Sequence, residues 1–279
     1  MSGESPNTLP SRIQRIIVPL DAISETRAAI ETAAQLAVRW QARLHGVFVE
    51  DEDLLRLASL PFARQVSLGA GVEPLTPEKA AQQLRACAET ARRDLAAAAG
   101  RHHLRWSFEI TRAISSAEAI PVAEGDFIVA QAVSRPIGPH FSVASRWDHA
   151  IEPASGSLLL ARAVMSSGGA VVVVLRDCEP ASARVLEAAA ELAEIAGAPL
   201  TVVCGPDLTR ADGFNDWLVE HAAARPVQLR IEAAMNDSAA LHRRILELNC
   251  GLLACAGGAA PNGLRELAIG AACDLLVMR

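Results

Sequence analysis

The sequence lacks the features that would place it in several large functional classes. It has no block of lysine and arginine, and its formal net charge is -6, which argues against nucleic acid as a partner. Its most apolar window, SLLLARAVMSSGGAVVVVLRD at 157–177, is interrupted by Arg162 and by SSGG at 166–169. This window predicts two strands and a linker rather than a membrane span. The start, MSGESPNTLPSR, has no cationic segment followed by an apolar run, so we expect a short polar tail over 1–11 rather than a secretory signal.

Disulfide, metal and catalytic motifs are missing as well. The six cysteines show neither a disulfide framework nor the paired C-x2-C spacing of zinc sites, so we expect reduced thiols in a cytoplasmic protein. There is no P-loop, no G-x-G-x-x-G fingerprint and no Ser-His-Asp elbow. We therefore predict that the chain is not an enzyme and binds no metal. A hydrolase or phosphotransferase is the least favoured alternative, since fold alone does not imply activity.

What the sequence does contain is an internal repeat. The stretch RIIVPLDAISETRAAIETAAQLAVRWQARLHGVFVE at 15–50 returns as VVVVLRDCEPASARVLEAAAELAEIAGAPLTVVCG at 171–205, with every position moved by 156. Asp21 thereby falls on Asp177, and both follow an apolar strand. Each copy reads as a strand rich in Ile or Val, an amphipathic helix and a second buried strand. Strands that are apolar along their whole length are typical of parallel sheets covered on both faces.

Both halves continue this alternation of strands and helices. Further strands are predicted in the first half at 104–110, 126–132 and 157–163, and the second half repeats the order. We therefore predict two tandem α/β domains of five strands each, at 12–165 and 170–279. Each copy of the repeat contains one helix. Beyond these two, further helices are predicted at about 77–99, 115–122, 141–151, 213–224, 237–249 and 262–271.

The first half carries an insertion. The offset between matching positions falls from 156 at the first strand to 125 at the fourth, so the first half has about 31 extra residues, most of them within 50–77. Leu54, Leu55, Leu57 and Leu60 give this segment a short apolar helix pattern. Two interpretations stay open, a lid that packs back on its own domain and a helix that binds a protein partner.

The opening RIIVPLD, the helix ETAAQLA and the ending CDLLVMR resemble the universal stress protein family in its tandem form. The resemblance covers nearly the whole chain except residues 1–11 and the insertion. It implies two doubly wound domains, each a five-stranded parallel sheet of order 3-2-1-4-5 flanked by helices. It also implies that the last strands of the two domains, SLLLARA at 157–163 and DLLVMR at 274–279, pair with each other and cover two sheet edges.

The family resemblance also suggests a ligand site and shows where this chain departs from it. Members that bind ATP use an aspartate at the end of strand one on the adenine side, and a loop G-x2-G-x9-G-[ST] after strand four around the phosphates. Asp21 and Asp177 match the aspartate, where the strand order reverses. In the first half, however, Gln131 stands in the place of the first glycine, and Pro136 and Pro139 supply no N–H. We therefore do not expect a phosphate cradle there.

The second half keeps part of that loop. Gly257 and Gly258 follow the fourth strand, and Asn262 lies near the start of the next predicted helix, where a small anion or AMP could be held. A tight turn that uses glycine for its geometry is the competing interpretation. For the aspartates, the competing interpretation is an ordinary turn or cap role.

The leading hypothesis is a cytoplasmic regulatory or adaptor protein of the universal stress type, active in the stress response without the usual ATP site. It needs no cofactor and binds an unidentified protein partner, with 50–77 as the candidate surface. The alternative is an adenine-nucleotide sensor that holds ATP or AMP through Asp21 or Asp177. A homodimer is left open, because tandem domains suffice alone or associate as two chains.

Overall fold

The described part of the chain falls into two units, and each is a layer of helices on a sheet. The computed structural model divides at Ile13–Ala154 and Ser155–Arg279. The strand at 157–161 is grouped with the second unit, so the predicted domain limits of 12–165 and 170–279 stay a prediction. The structure describes residues 13–22, 26–67, 71–113, 120, 122–123, 125–131, 157–161, 169–222, 229–233, 238–256 and 273–278.

The first unit has a parallel sheet in the order β5-β2-β1-β6. The insertion adds a short helix and a separate antiparallel hairpin, β3 with β4. The helices and strands, in chain order, are β1 (Arg15–Leu20), α1 (Arg27–Trp40), β2 (Arg43–Asp51), α2 (Glu52–Ala58), β3 (Arg64–Ser67), β4 (Gly71–Pro74), α3 (Pro77–Arg101), β5 (Trp106–Ala113) and β6 (Asp126–Gln131).

The second unit repeats this sheet in the order β10-β9-β8-β11-β12, with β7 beside β12. The pairs are parallel except for β12 with β7, which run antiparallel with Leu276 opposite Leu159. Its helices and strands are β7 (Ser157–Ala161), β8 (Ala170–Leu175), α4 (Pro180–Ala196), β9 (Leu200–Cys204), α5 (Pro206–Arg210), α6 (Phe214–Ala222), β10 (Leu229–Ala233), α7 (Ser238–Glu247), β11 (Cys250–Ala256) and β12 (Asp274–Met278).

The predicted fold class is confirmed. Counted within each half, the strands stand in the order 3-2-1-4 in the first unit and 3-2-1-4-5 in the second, and the predicted pairing of β7 with β12 is present. The hairpin β3–β4 and the short helix α5 were not predicted. The helices predicted near 141–151 and 262–271 lie outside the described residues, as does the helix predicted near 115–122 apart from Ile120 and Val122, neither of which is helical.

Small side chains on α1 set the distance between helix and sheet in the first unit. Four of the eight buried residues of α1 are alanines, whose small side chains let the helix backbone pack closely on β1 and β6. At its end Trp40 packs edge-to-face on Phe127 of β6, with ring centroids 4.9 Å apart. Along the described part of the chain, no helix combines the length and apolarity needed to cross a bilayer.

Candidate functional site

The first candidate site lies at the carboxyl ends of β1 and β6, where the strand order reverses. Asp21 directly follows Leu20, the last residue of β1. The two strands pair with Arg15 opposite Asp126, and continuing that register places Gln131 beside Leu20. Asp21 and Gln131 therefore border the same crevice, which is where open α/β sheets hold ligands.

Gln131 changes the chemistry of this crevice. It is the last residue of β6 and its side chain is buried. A glycine at that position leaves room for a phosphate to approach the backbone N–H groups, whereas a buried amide side chain fills part of that room. The loop that follows, with Pro136 and Pro139, lies outside the described residues.

The second candidate site is the equivalent end of β8 and β11, and here the carboxylate of Asp177 has a structural role. Its Oδ1 accepts a hydrogen bond from the N–H of Glu179 at 3.1 Å and another from the Oγ of the buried Ser182 at 2.6 Å. The first is the side-chain turn that aspartate commonly makes two residues ahead of itself. Asp177 thus orders the entry into α4, as the turn-or-cap interpretation expects, whether or not it also contacts a ligand.

The glycines that were predicted to complete this second site cannot be placed beside Asp177. Gly257, Gly258 and Asn262 lie outside the described residues, so their part in a site stays a prediction. Next to Asp177, burial and the aspartate's charge raise the pKa of Cys178. That thiol is therefore protonated near neutral pH and is a weak nucleophile.

The insertion is held against α3 through its own backbone and side chains. Asp51 caps α2, because its Oδ1 accepts the N–H groups of Asp53 at 2.9 Å and Leu54 at 3.4 Å. The strands β3 and β4 pair with each other as a hairpin, and this hairpin contacts α3 through two side-chain pairs. These pairs are Gln65 with Gln83 at 3.0 Å and Glu73 with Lys79 at 3.2 Å.

The outer surface of the insertion carries large apolar side chains in water. Phe62 is 73% exposed, Val72 57%, Leu57 50% and Leu60 40%. Three of these four lie within six positions of one another, at the end of α2 and in the turn after it. We refer to these four residues as the insertion patch. Scattered exposed apolar residues are normal, whereas large exposed apolar patches are found at interaction sites, so the insertion patch is a candidate interaction surface.

A polar cluster at the opposite, amino-terminal edge of the first sheet was missed by the sequence analysis. Arg15 donates to both carboxylate oxygens of Asp126, from Nε at 2.8 Å and from Nη2 at 2.5 Å, and Asp126 also accepts the N–H of Ala123 at 2.7 Å. Burial alone would raise the pKa of Asp126, but these hydrogen bonds outweigh it and the pKa lies below its ordinary value. No local signal marks a pair whose members are 111 positions apart.

His45 stands beside this ion pair. Its Nδ1 shares a 2.8 Å hydrogen bond with Ser107 on the neighbouring strand. Burial, together with the charge of Arg15, lowers the pKa of His45. The ring is therefore neutral near pH 7. We interpret this cluster as structural, since the ion pair joins β1 to β6 and the imidazole joins β2 to β5.

A second pattern that the sequence analysis missed is duplicated between the halves. In the first unit Glu31 on α1 pairs with Arg101 and, at 3.5 Å, with His102. In the second unit Glu187 on α4 contacts His221 on α6 at 2.6 Å. Glu31 and Glu187 are equivalent positions of the repeat, which was the available signal. In each unit, these contacts link the first helix to the end of another helix.

None of these clusters forms a metal centre. Within the described ranges no group of three or more His, Cys, Asp or Glu side chains is placed to hold a metal ion. The six cysteines, all of which lie in those ranges, are free thiols.

Comparison with known proteins identifies the fold. No family model and no curated protein matches the chain. Among solved structures, a protein assigned as a universal stress protein from Pseudomonas aeruginosa UCBPP-PA14 is similar with a TM-score of 0.62 at 16% identity, over 96% of this chain and 94% of that one. A universal stress protein from Archaeoglobus fulgidus DSM 4304 gives 0.60 at 14% identity, over 98% of both chains. A functionally unknown protein from Pseudomonas aeruginosa PAO1 gives 0.59 at 15%, over 96% and 93%. The chain therefore has the fold of the universal stress proteins along nearly its whole length.

Proposed function

We propose that this protein is a non-enzymatic regulatory adaptor of the universal stress type, which binds a protein partner through the insertion patch and does not use ATP. The observation that carries the proposal is the exposure of Leu57, Leu60, Phe62 and Val72 on the insertion. The insertion is the largest difference between the two halves of the repeat, so the repeated strands and helices do not themselves require it.

The anchoring of the insertion supports a preformed binding surface. Ala58 and Ala63, which flank Leu60 and Phe62, are buried, and Leu75 donates its N–H to the Ala63 carbonyl at 3.0 Å. The apolar side chains are thus presented from a segment that is already ordered, so that a partner does not bear the entropic cost of ordering it.

The charge of the insertion indicates the chemistry of the partner. Residues 50–77 contain five acidic and two basic side chains. Within this segment Arg56 is already paired with Glu52 at 3.1 Å and with Asp53 at 3.6 Å. We therefore expect an amphipathic protein segment with an apolar face for the patch and basic side chains around it, since opposite charge at the rim favours association.

A random peptide library displayed on phage tests this surface. Selection on the immobilised full-length protein should enrich peptides that combine apolar residues at helical spacing with lysine or arginine. Phe62→Ser should weaken the selected peptides by roughly tenfold or more, because aromatic side chains at the centre of an interface contribute most of its affinity. Fluorescence anisotropy with a labelled peptide measures the change.

The matched control is Val219→Ser on α6, which removes an apolar side chain of similar exposure from the second unit. It should leave peptide affinity unchanged. Equal losses for Phe62→Ser and Val219→Ser, or no enrichment at all, would contradict the adaptor proposal.

The absence of ATP binding is the second part of the proposal. It is supported in the first unit by the buried side chain of Gln131 at the end of β6. In the second unit it is supported by the use of the Asp177 carboxylate in the turn before α4. An adenine-nucleotide sensor needs both an accessible carboxylate for the base and free N–H groups for the phosphates.

Calorimetric titration with ATP, ADP and AMP tests this part on the native protein and on Asp177→Ala. We expect no saturable heat for either protein, and a loss of about 1 kcal/mol of stability in the variant, because it loses the hydrogen bonds that order the start of α4. Micromolar nucleotide binding that disappears in Asp177→Ala would instead establish the sensor. Asp21→Ala is the matched variant for the first unit.

A further inference from the structure

Two cysteines lie next to each other at the amino-terminal ends of two strands in the second unit. Cys250 is the first residue of β11, and Cys273 directly precedes β12. These strands are parallel neighbours with Leu252 opposite Asp274, so continuing the register places Cys273 beside Gly251, next to Cys250. The two residues are far apart in the chain and adjacent in the sheet.

A bulge in β11 lies next to Cys250. Against β8, the register of β11 shifts between Cys250 and Leu252, which leaves Gly251 as an extra residue. A bulge of this kind re-aims the side chains next to it. Both residues are buried, and the neighbouring Cys273 side chain raises the pKa of the Cys250 thiol.

The spacing suits a disulfide. Neighbouring strands lie about 4.8 Å apart and each residue advances about 3.3 Å along its strand, so a diagonal pair is separated by roughly 6 Å. Disulfides form across Cα separations of about 4.4–6.8 Å. The other buried thiol of β11, Cys255, has a different partner, since its Sγ lies 3.8 Å from the carbonyl oxygen of Leu276. At the opposite end of the sheet, burial and the nearby Cys178 raise the pKa of Cys204. These two cysteines are the competing pair.

Burial slows the oxidation of Cys250 and Cys273 but does not prevent it. The neighbouring Cys273 side chain, together with burial, raises the pKa of Cys250, so the thiolate that attacks an oxidant is scarce at neutral pH. Brief exposure to oxidant should therefore leave the pair reduced. Prolonged exposure should oxidise the pair, because local opening at the amino-terminal ends of β11 and β12 exposes the thiols to the oxidant.

We propose that Cys250 and Cys273 are a thiol-oxidation site, at which a hydroperoxide converts the pair into a reversible disulfide between β11 and β12. In the first step one sulfur attacks the peroxide O–O bond and becomes a sulfenic acid, while the peroxide leaves as an alcohol, or as water from hydrogen peroxide. In the second step the other sulfur displaces water from the sulfenic acid and forms the S–S bond. The two thiols lose two electrons and two protons in total, and the peroxide is reduced.

The disulfide should be visible in the stability of the protein as well as in its mass. It closes a loop of about two dozen residues, which restricts the unfolded chain and should raise the Tm of the second unit by roughly 10 °C. A thiol reductant should return the Tm to its starting value. This inference is independent of the insertion patch, which lies in the other unit.

The experiment is peptide mapping of the full-length protein after hours in hydrogen peroxide, with the remaining thiols alkylated. We expect the peptides of Cys250 and Cys273 to be joined and lighter by two hydrogen atoms, with the rise in Tm lost in both Cys250→Ala and Cys273→Ala. Cys255→Ala, in the same strand and equally buried, should keep both signals.

A second sample, oxidised while it refolds from urea, removes the barrier of burial. We expect the same pair to dominate among the disulfides of the refolded protein. A predominant Cys178–Cys204 disulfide, or free thiols at Cys250 and Cys273 in both samples, would overturn the proposal.

Discussion

Replacing Gly169 by alanine should destabilise the second unit by about 3 kcal/mol, although it adds a single methyl group. Gly169 directly precedes β8, and a Cβ at this position would lie 2.5 Å from the carbonyl oxygen of Asn249 and 2.5 Å from the nitrogen of Gly251. These are backbone atoms, so no side-chain rotation relieves the overlap. The N–H of Ala170 also donates a hydrogen bond to the Asn249 carbonyl at 3.0 Å, so moving these two backbone segments apart would break that bond.

The control for Gly169→Ala is Gly100→Ala. Gly100 lies inside α3 and a Cβ there meets nothing within 4 Å. This variant should be neutral or stabilise the protein by up to about 1 kcal/mol, because alanine favours the helix over glycine. Urea denaturation gives the two midpoints, and hydrogen exchange in β8 and β11 locates the effect. Unchanged stability in Gly169→Ala would mean that β8 and β11 do not approach as closely as the structure has them.

Replacing Asp126 by asparagine should cost about 2 kcal/mol at neutral pH. The carboxylate is buried and holds both donors of Arg15 and the N–H of Ala123, whereas an amide turns its own N–H₂ toward one of those donors. The variant removes the charge that compensates Arg15 and keeps the shape of the side chain. The link between β1 and β6 at the amino-terminal edge of the first sheet is therefore weakened.

The pH dependence of that loss has a definite sign. The pKa of Asp126 is lower in the folded protein than in the unfolded chain. The ion pair therefore stabilises the fold above the unfolded pKa of about 4, and its contribution is lost as the pH falls through the folded value. Urea midpoints of wild type and Asp126→Asn should converge in acid. The exposed Glu89, which pairs with Arg92, supplies the control, since Glu89→Gln should leave the midpoint near that of wild type at every pH.

These two variants separate the scaffold from the candidate sites it supports. Gly169 affects the β8–β11 pair, whose carboxyl ends border the second crevice, and Asp126 affects the β1–β6 pair, which borders the first. Neither residue belongs to the insertion patch. Both variants should therefore keep peptide binding through Phe62 at temperatures where they are folded, which distinguishes a destabilised protein from one that has lost its binding surface.

The insertion shows how much of a candidate functional surface could be predicted from the sequence. The changing offset between the repeats located the extra residues, and the leucine pattern predicted the helix that the structure places at Glu52–Ala58. The hairpin β3–β4 was not predicted, because four-residue strands carry too little periodicity. Nor could the pattern tell a lid from a binding surface, since Ala58 is buried while Leu57, next to it, is half exposed.

The repeated strand–helix–strand pattern, the alternation of strands and helices and, through the family resemblance, the strand order could be predicted from the amino-acid sequence. These features depend on local periodicity and repeated spacing, which can be recognised without any distant contact. The partners of individual side chains are seen only in the folded protein: Arg15 with Asp126, Glu187 with His221, and Cys250 next to Cys273. Each partnership joins separate strands or helices, and register and packing, which are properties of the assembled sheet and its helices, bring the two residues together.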